Sequence, residues 1–417
     1  MKTSPSAKMA GFAKPMTTPV VSSVNAGLRM PSTNVRRSSR QQGGCYGSRS
    51  PSRIVPKCTM AVDPKGQQKR RHRDGPGKVG PDYSAVQRNL ALELVRVTEA
   101  AALEAAQWFG KGDKNAADQA AVDMMREVLK TIQMDGVVII GEGEKDEAPM
   151  LYCGERIGNG GMPKVEIAVD PLDGTSLTAQ GRNGAVSVIA LAEPGALLDP
   201  GPCMYMEKLA VGPEVDPAKV GLRLSARQNI RAVAECLEKP VEEVTVLILD
   251  RPRHSDLIQE CRNSGARIRL ISDGDVSGAI EVAKAGAPVD LMLGIGGSPE
   301  GVIAAAALRC MGGYMEGRLW PRNDEERKVS AEKNIDIDRI LKTDELCKGD
   351  KVFFAATGVS DGDLLKGVRY YSGGATTNSL VMRVESGTVR YIETFHQWAS
   401  PGVTNPQNDN RSNGYEI

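Results

Sequence analysis

The stretch Asp170-Pro171-Leu172-Asp173-Gly174-Thr175 puts two carboxylates and a hydroxyl within one turn of chain. Carboxylates beside a hydroxyl suit a divalent cation and a phosphate, and Gly174 leaves the backbone bare for close approach. The apolar run Val165-Glu166-Ile167-Ala168-Val169 just before it reads as a buried strand. Pro171 pushes Asp170 towards extended dihedrals, so the strand is expected to end at Asp170. A plain turn would use the same Asp, Pro and Gly, so carboxylates elsewhere must decide between the two.

A second short strand, Val137-Val138-Ile139-Ile140, runs straight into Gly141-Glu142-Gly143-Glu144-Lys145-Asp146-Glu147. Its likeness to a nucleotide-binding glycine loop is superficial, because acids there would repel phosphate unless a cation stood between them. Two strands that end in acids place those acids where ligands gather in open α/β sheets, outside the carboxyl ends. Oxygen donors with no His or Cys beside them select magnesium or manganese over zinc. With only His72, His254 and His396 in the chain, a histidine-based nucleophile triad has little support.

Three later strands end in polar clusters too. Residues 244–249 lead to Asp250-Arg251-Pro252-Arg253-His254, and residues 267–271 lead to Ser272-Asp273-Gly274-Asp275. Residues 289–293 run into Gly294-Ile295-Gly296-Gly297-Ser298-Pro299-Glu300 and then an alanine-rich helix. Ser298 is expected to cap that helix with Pro299 at its first position, leaving glycines and free N–H groups facing a crevice. Glu300 suits either the helix dipole or a metal. Arg251 and Arg253, alternating around a proline in an extended segment, would point to one side, where guanidinium forks match phosphate oxygens.

Helices must hold these strands in place. Leu90, Leu94, Val97, Ala101, Ala105 and Trp108 recur at helical spacing over about 84–109, and a glycine-rich turn at 110–114 interrupts them. Val122, Met125, Leu129 and Ile132 mark a second helix from about Asn115, with Asp118 expected in its first turn, where the dipole favours a carboxylate.

The 417 residues, 41% hydrophobic, are enough for two domains. Net charge is +1, but no acid precedes Asp63, so the balance from Gly80 onward is acidic and no nucleic-acid surface is indicated. Residues 1–62, basic and rich in Ser, Thr and Pro, are expected to remain unfolded as a plastid transit peptide, cleaved near 58–61. Residues 63–82 read as a linker. No stretch is long and apolar enough to span a bilayer, so no membrane association is expected. The eight cysteines form no C-x-x-C pair, so zinc ligation is not expected.

From Ala91 to His396 the sequence closely resembles the class II fructose-1,6-bisphosphatases, within the lithium-sensitive sugar and inositol phosphatase superfamily. The likeness rests on Gly112-Asp113-Lys114-Asn115 with Asp118, on residues 141–144 and 146–152, on the stretch at 170–175, on Met204-Tyr205-Met206-Glu207-Lys208-Leu209, on residues 251–254 and 273–275, and on residues 294–301. It implies a layered αβαβα sandwich, expected here as an N-terminal metal-binding domain (83–230), a C-terminal substrate domain (231–396) and a tail (397–417). It implies hydrolysis of fructose 1,6-bisphosphate to fructose 6-phosphate in gluconeogenesis or the Calvin cycle, with Mg2+ or Mn2+ and a homo-oligomeric state. By position, Asp118, Glu142, Asp170 and Glu300 fall on the metal ligands, and Asp146 and Thr175 on the pair that activates water. Asp173, Gly174, Thr175, Tyr205, Arg251, Pro252, Arg253, Asp273, Gly274, Asp275 and Gly297 fall on substrate positions. Asp173 stands where many members carry Glu. A dual enzyme that also takes sedoheptulose 1,7-bisphosphate, an inositol monophosphatase and a non-catalytic sugar-phosphate sensor stay open.

Overall fold

The computed structural model describes residues 85–143 and 150–398, with side chains from Leu90 onward. The expected transit peptide and linker, Asp146, and all of the expected tail but Gln397 and Trp398 lie outside these residues. The chain opens with α1 (Ala85–Ala106) and α2 (Lys114–Thr131). Leu90, Leu94, Val97, Ala101 and Ala105 are buried, as their spacing predicts. The first-turn acid of α2 is not Asp118. Asp113 caps the helix by accepting from the Ala116 N–H at 3.0 Å, which starts α2 one residue earlier than expected and moves Asp118 beyond the first turn.

The first sheet takes β1 (Asp135–Ile140), β2 (Arg156–Ile157), β3 (Lys164–Asp173) and, after the short α3 (Thr175–Gln180), β4 (Val186–Ala192). β3 does not stop at Asp170. Its antiparallel ladder with β4 jumps from Asp170↔Val188 to Asp173↔Val186, and this bulge accommodates Pro171, which has no N–H to give a ladder. Gly174 then turns with φ 103°, a left-handed value that glycine adopts at little cost, and α3 begins.

The second sheet is built from β5 (Tyr205–Val211), α4 (Ala226–Cys236), β6 (Thr245–Leu249), α5 (Ser255–Asn263), β7 (Arg267–Ile271), α6 (Asp275–Glu281), β8 (Leu291–Gly297), α7 (Ser298–Met311), β9 (Tyr314–Leu319), α8 (Asp324–Glu332), β10 (Ile340–Lys342) and α9 (Thr343–Leu346). Its strand order is β10-β9-β5-β8-β6-β7. The glycines at 294–297, expected in a loop, remain in β8 and pair with Lys208 to Tyr205 of β5. The reason is space. A Cβ on Gly294 would stand 3.1 Å from His254 Nε2, one on Gly296 1.9 Å from Asp275 Oδ2, and one on Gly297 1.7 Å from Glu300 Oε2. Nor does Ser298 cap α7. It is the first helical residue, Gly297 holds the cap position, and the Ser298 hydroxyl is buried with no hydrogen-bond partner among the described residues.

The chain then returns to the first sheet with β11 (Phe353–Gly358), β12 (Arg369–Tyr371), β13 (Gly374–Arg383) and β14 (Thr388–Gln397). The order there is β12-β13-β11-β4-β3-β1-β2, with β14 on β13. The expected division at 230/231 therefore falls inside α4, and residues 353–397 belong with the N-terminal strands. All described residues form one unit, Pro76–Ile417. Helices α1 and α2 cover the outer face of the first sheet, α6, α7 and α9 lie between the sheets, and α4 and α5 cover the far face of the second. This is the expected αβαβα layering, with mixed parallel and antiparallel sheets. The middle layer is dry because α7 is buried nearly all round, and its run Ala304-Ala305-Ala306-Ala307 lets both sheets approach closely.

Candidate active site

The carboxyl ends of β1, β3, β7 and β8 open on one cavity of about 700 Å3, lined by Asp118, Glu142, Asp170, Asp173, Gly174, Thr175, Asp273 and Glu300. Each acid arrives on its own element: α2 brings Asp118, the turn after β1 brings Glu142, the bulge of β3 brings Asp170 and Asp173, and α7 brings Glu300. Their burial and mutual repulsion show in their protonation. Burial, then Asp118 and Glu300, pushes Glu142 up to about 8. Burial, then Asp173, Glu300, Glu142 and Asp118, holds Asp170 well above the usual carboxylate range. Burial also raises Asp118, and burial with Asp275 raises Glu300 against the opposing pull of Lys208.

One oxygen of this set, Glu300 Oε2, is buried and accepts no hydrogen bond from the described residues. A buried carboxylate oxygen left bare costs on the order of 1–3 kcal/mol, so the arrangement calls for a positive partner. Hard oxygens from four elements, one of them unfilled, fit a magnesium-like ion by donor chemistry. Among the described residues no three such side chains close into a finished cage.

A second cavity of about 250 Å3 adjoins the first through Met204, Asp273 and Glu300. It adds three guanidiniums, Arg251, Arg253 and Arg322, and the Tyr205 ring to the shared acids, with Asp275 and Gly297 also in its lining. Pro252 to His254 form a 3-10 turn rather than the extended segment expected, yet both arginines face this lobe. Arg253 donates twice to the Ile295 carbonyl, at 3.2 and 2.6 Å, and lies 5.0 Å from the Tyr205 ring centre. Arg251 stands 3.9 Å from Asp273.

The two sheets meet at paired aspartates. Asp173 accepts from the Ser277 N–H of α6, and Asp273 accepts from the Ser176 N–H of α3, each at 3.3 Å. Each strand-end acid thus caps the other sheet's helix start, which locks one wall of the site across about a hundred residues of sequence.

Residues 88–396 match the family model described as bacterial fructose-1,6-bisphosphatase, glpX-encoded. The chain belongs to this family. Proteins named D-fructose 1,6-bisphosphatase class 2/sedoheptulose 1,7-bisphosphatase are 44% identical over 332 residues in a Synechococcus strain, covering 74% of this chain and 95% of that one. In Crocosphaera subtropica the identity is 46% over 338 residues, covering 75% and 97%. Two solved structures, the suhB suppressor protein of Bartonella henselae (14% identical, 48% and 73% covered, TM-score 0.27) and an inositol monophosphatase from Zymomonas mobilis (17%, 47% and 72%, TM-score 0.26), are too distant to bear on the fold. The enzyme class is that of the family, a phosphoric monoester hydrolase, and the resemblance read from the motifs holds.

The family motifs converge in the structure, except for Asp146, which lies outside the described residues. Asp275, expected at the substrate, is also spoken for: its Oδ2 accepts from Lys208 Nζ at 2.6 Å in an ion pair buried at both ends. Two residues of the site were not singled out from sequence. Lys208 sits in a strand motif where a charge reads as solvent-facing, but its side chain is only 1% exposed. Arg322 follows Trp320-Pro321 and precedes the acids Asp324-Glu325-Glu326, a setting that reads as a solvated helix start. It is held by Glu326, which also accepts from the Arg322 N–H, and its guanidinium reaches 5.8 Å from the Tyr205 ring.

Proposed function

We propose that the acid lobe hydrolyses the 1-phosphate of fructose 1,6-bisphosphate while the arginine lobe holds the 6-phosphate. The observation that supports this reading is the adjacency of the two lobes: the first carries carboxylates and no arginine, and the second, which shares Asp273 and Glu300 with it, brings in the guanidiniums of Arg251, Arg253 and Arg322. An inositol monophosphatase would have no use for the second. Asp118, Glu142, Asp170 and Glu300 would hold Mg2+ or Mn2+, with Asp173 near enough to add a contact. When bound, such a cation supplies the positive charge that a dianionic phosphate needs in order to approach four acids.

The chain's own groups do the rest. Arg251 and Arg253 bind the remote phosphate, and that binding energy fixes the reacting end. Tyr205 and Gly297 line this lobe, and Pro252 starts the 3-10 turn that sets Arg253 beside Arg251. Asp273, shared by the two lobes, and Asp275, in the second, are where sugar hydroxyls would find acceptors, and Gly274 turns the chain between them with φ 83°. Gly174 leaves backbone room beside Thr175, whose hydroxyl with Asp146 orients and deprotonates the attacking water for in-line displacement. The names of the Synechococcus and Crocosphaera relatives favour activity on sedoheptulose 1,7-bisphosphate as well. The test is phosphate release from both bisphosphates with magnesium and manganese compared. Asp170→Ala should abolish turnover while circular dichroism stays unchanged, and undiminished release would overturn the assignment.

The same reading extends to location. The family match begins at 88, and the acid-free, hydroxyl-rich residues 1–62 ahead of it have the composition of a plastid address. Residues 1–62 fused to a fluorescent protein should carry it into plastids, and diffuse cytosolic fluorescence would refute this.

A further inference from the structure

Strands β6 and β8 are parallel neighbours, but their ladder carries only Val246↔Leu291 and Leu247↔Met292. Beyond these residues they part, which opens the crevice, and the ring of His254 spans the gap. Its Nδ1 lies 2.7 Å from the Leu249 carbonyl oxygen at the end of β6, and the Ile295 N–H on β8 donates to Nε2 at 2.8 Å. A carbonyl only accepts and a backbone N–H only donates, so the ring must carry its proton on Nδ1 and leave Nε2 bare. The imidazole thus takes the place of a missing ladder rung, and it can do so only in the neutral state and in one tautomer. Ile295 is also the residue whose carbonyl receives both bonds from Arg253. Gly294 leaves the room the ring needs, since a Cβ there would crowd Nε2 at 3.1 Å.

We propose that His254 is a positioning residue for the reaction: its neutral imidazole sets Ile295, and through it Arg253, to face the remote phosphate, and protonating the ring releases that arginine. This rests on the arginine lobe being the remote-phosphate site. A proton on Nε2 would face the Ile295 N–H donor to donor, breaking the bond on the β8 side. Burial keeps the ring's pKa below its usual value despite the Leu249 bond, and Arg253 and Arg251 add to this. Among the described residues no acid pairs with the ring, and Asp250, next to Leu249, is exposed. β6 and β8 bring only backbone and uncharged side chains, Asp256 of α5 is exposed, and Glu260 of α5 is engaged with the Arg227 N–H.

With three histidines in the chain, the imidazole nitrogens of the 15N-labelled protein can be followed by NMR. At neutral pH one ring should show the Nδ1–H neutral pattern and titrate below the range of a free imidazole. An Nε2–H or cationic pattern for His254 overturns the proposal. In kinetics, His254→Asn should raise KM for the bisphosphate roughly tenfold with kcat changed less than about twofold. The wild type should show a rise in KM on the acid side that the variant lacks, while activity on p-nitrophenyl phosphate, which has no remote phosphate, stays level in both. If Arg251→Ala raises KM for the bisphosphate and His254→Asn does not, the role of His254 is refuted and the lobe assignment stands. If neither raises it, the lobe assignment itself fails. Should the Asn variant not fold, the wild-type tautomer and pH profile decide the question alone.

Discussion

Glu300 holds a bare oxygen in the driest part of the site, and Asp170 beside it is pressed by four other acids. Like charges packed this way are a stability cost that a fold keeps for chemistry. Asp170→Asn should therefore lose turnover and yet, under a chelator, unfold about 1–2 kcal/mol less readily than the wild type in denaturant titrations. A variant less stable than the wild type under chelator would show that the acids are held by bonds rather than strained. In the other lobe, Arg322→Ala should raise KM for the bisphosphate about tenfold with little change in kcat, by steady-state kinetics. At this scale Glu142, Asp170 and Glu300 were readable because an apolar strand run and a glycine or proline stand beside each, whereas Asp118, inside α2, was readable only from the motif around it. Lys208 and Arg322 were not, since nothing in their local sequence distinguishes a buried or ligand-facing cation from a solvated one; only distant partners, Asp275 for Lys208 and Tyr205 for Arg322, do.

Among the elements, α6 carries Glu281, which burial pushes up to about 7 against the pull of Arg269. A carboxyl raised in the fold favours the folded state at pH values below its ordinary 4.5 and loses that contribution as pH rises through about 7. The advantage of Glu281→Gln over the wild type should therefore grow by about 2 kcal/mol from pH ~5 to pH ~8 in chemical denaturation, and a flat difference would contradict it. β8 makes a steric prediction. Gly297 has φ −67°, which any residue can adopt, so Gly297→Ala acts only by driving its methyl into the Glu300 carboxylate. It should raise the metal concentration needed for half-maximal activity by roughly tenfold or more, followed by titrating magnesium into the apoenzyme. Element positions were legible from period and composition, but two ends were not. Pro171 and the glycines at 294–297 signal breaks, yet a bulge absorbs the first, and the second keeps its strand because absent side chains make space for three neighbouring groups.

For the whole molecule, the five layers leave neither sheet able to stand alone. α7 is packed between both, and the paired bonds of Asp173 and Asp273 tie their ends. Ending the chain after Asp350 would strip β11 to β14 from the first sheet and bare Phe353's and Phe354's neighbours in two cores. Such a fragment should show no cooperative thermal transition by calorimetry. The alternation of strand and helix foretold the class of fold but placed residues 353–397 with the wrong sheet, because local pattern names an element without naming its neighbour. That return has a consequence during synthesis. β11 leaves the ribosome after nearly everything else, yet it lies between β4 and β13, so β4 must wait with an open edge while the second sheet is being made. Chaperones that shield nascent chains therefore have a defined target in this protein, the edge of β4 that stays open until β11 emerges.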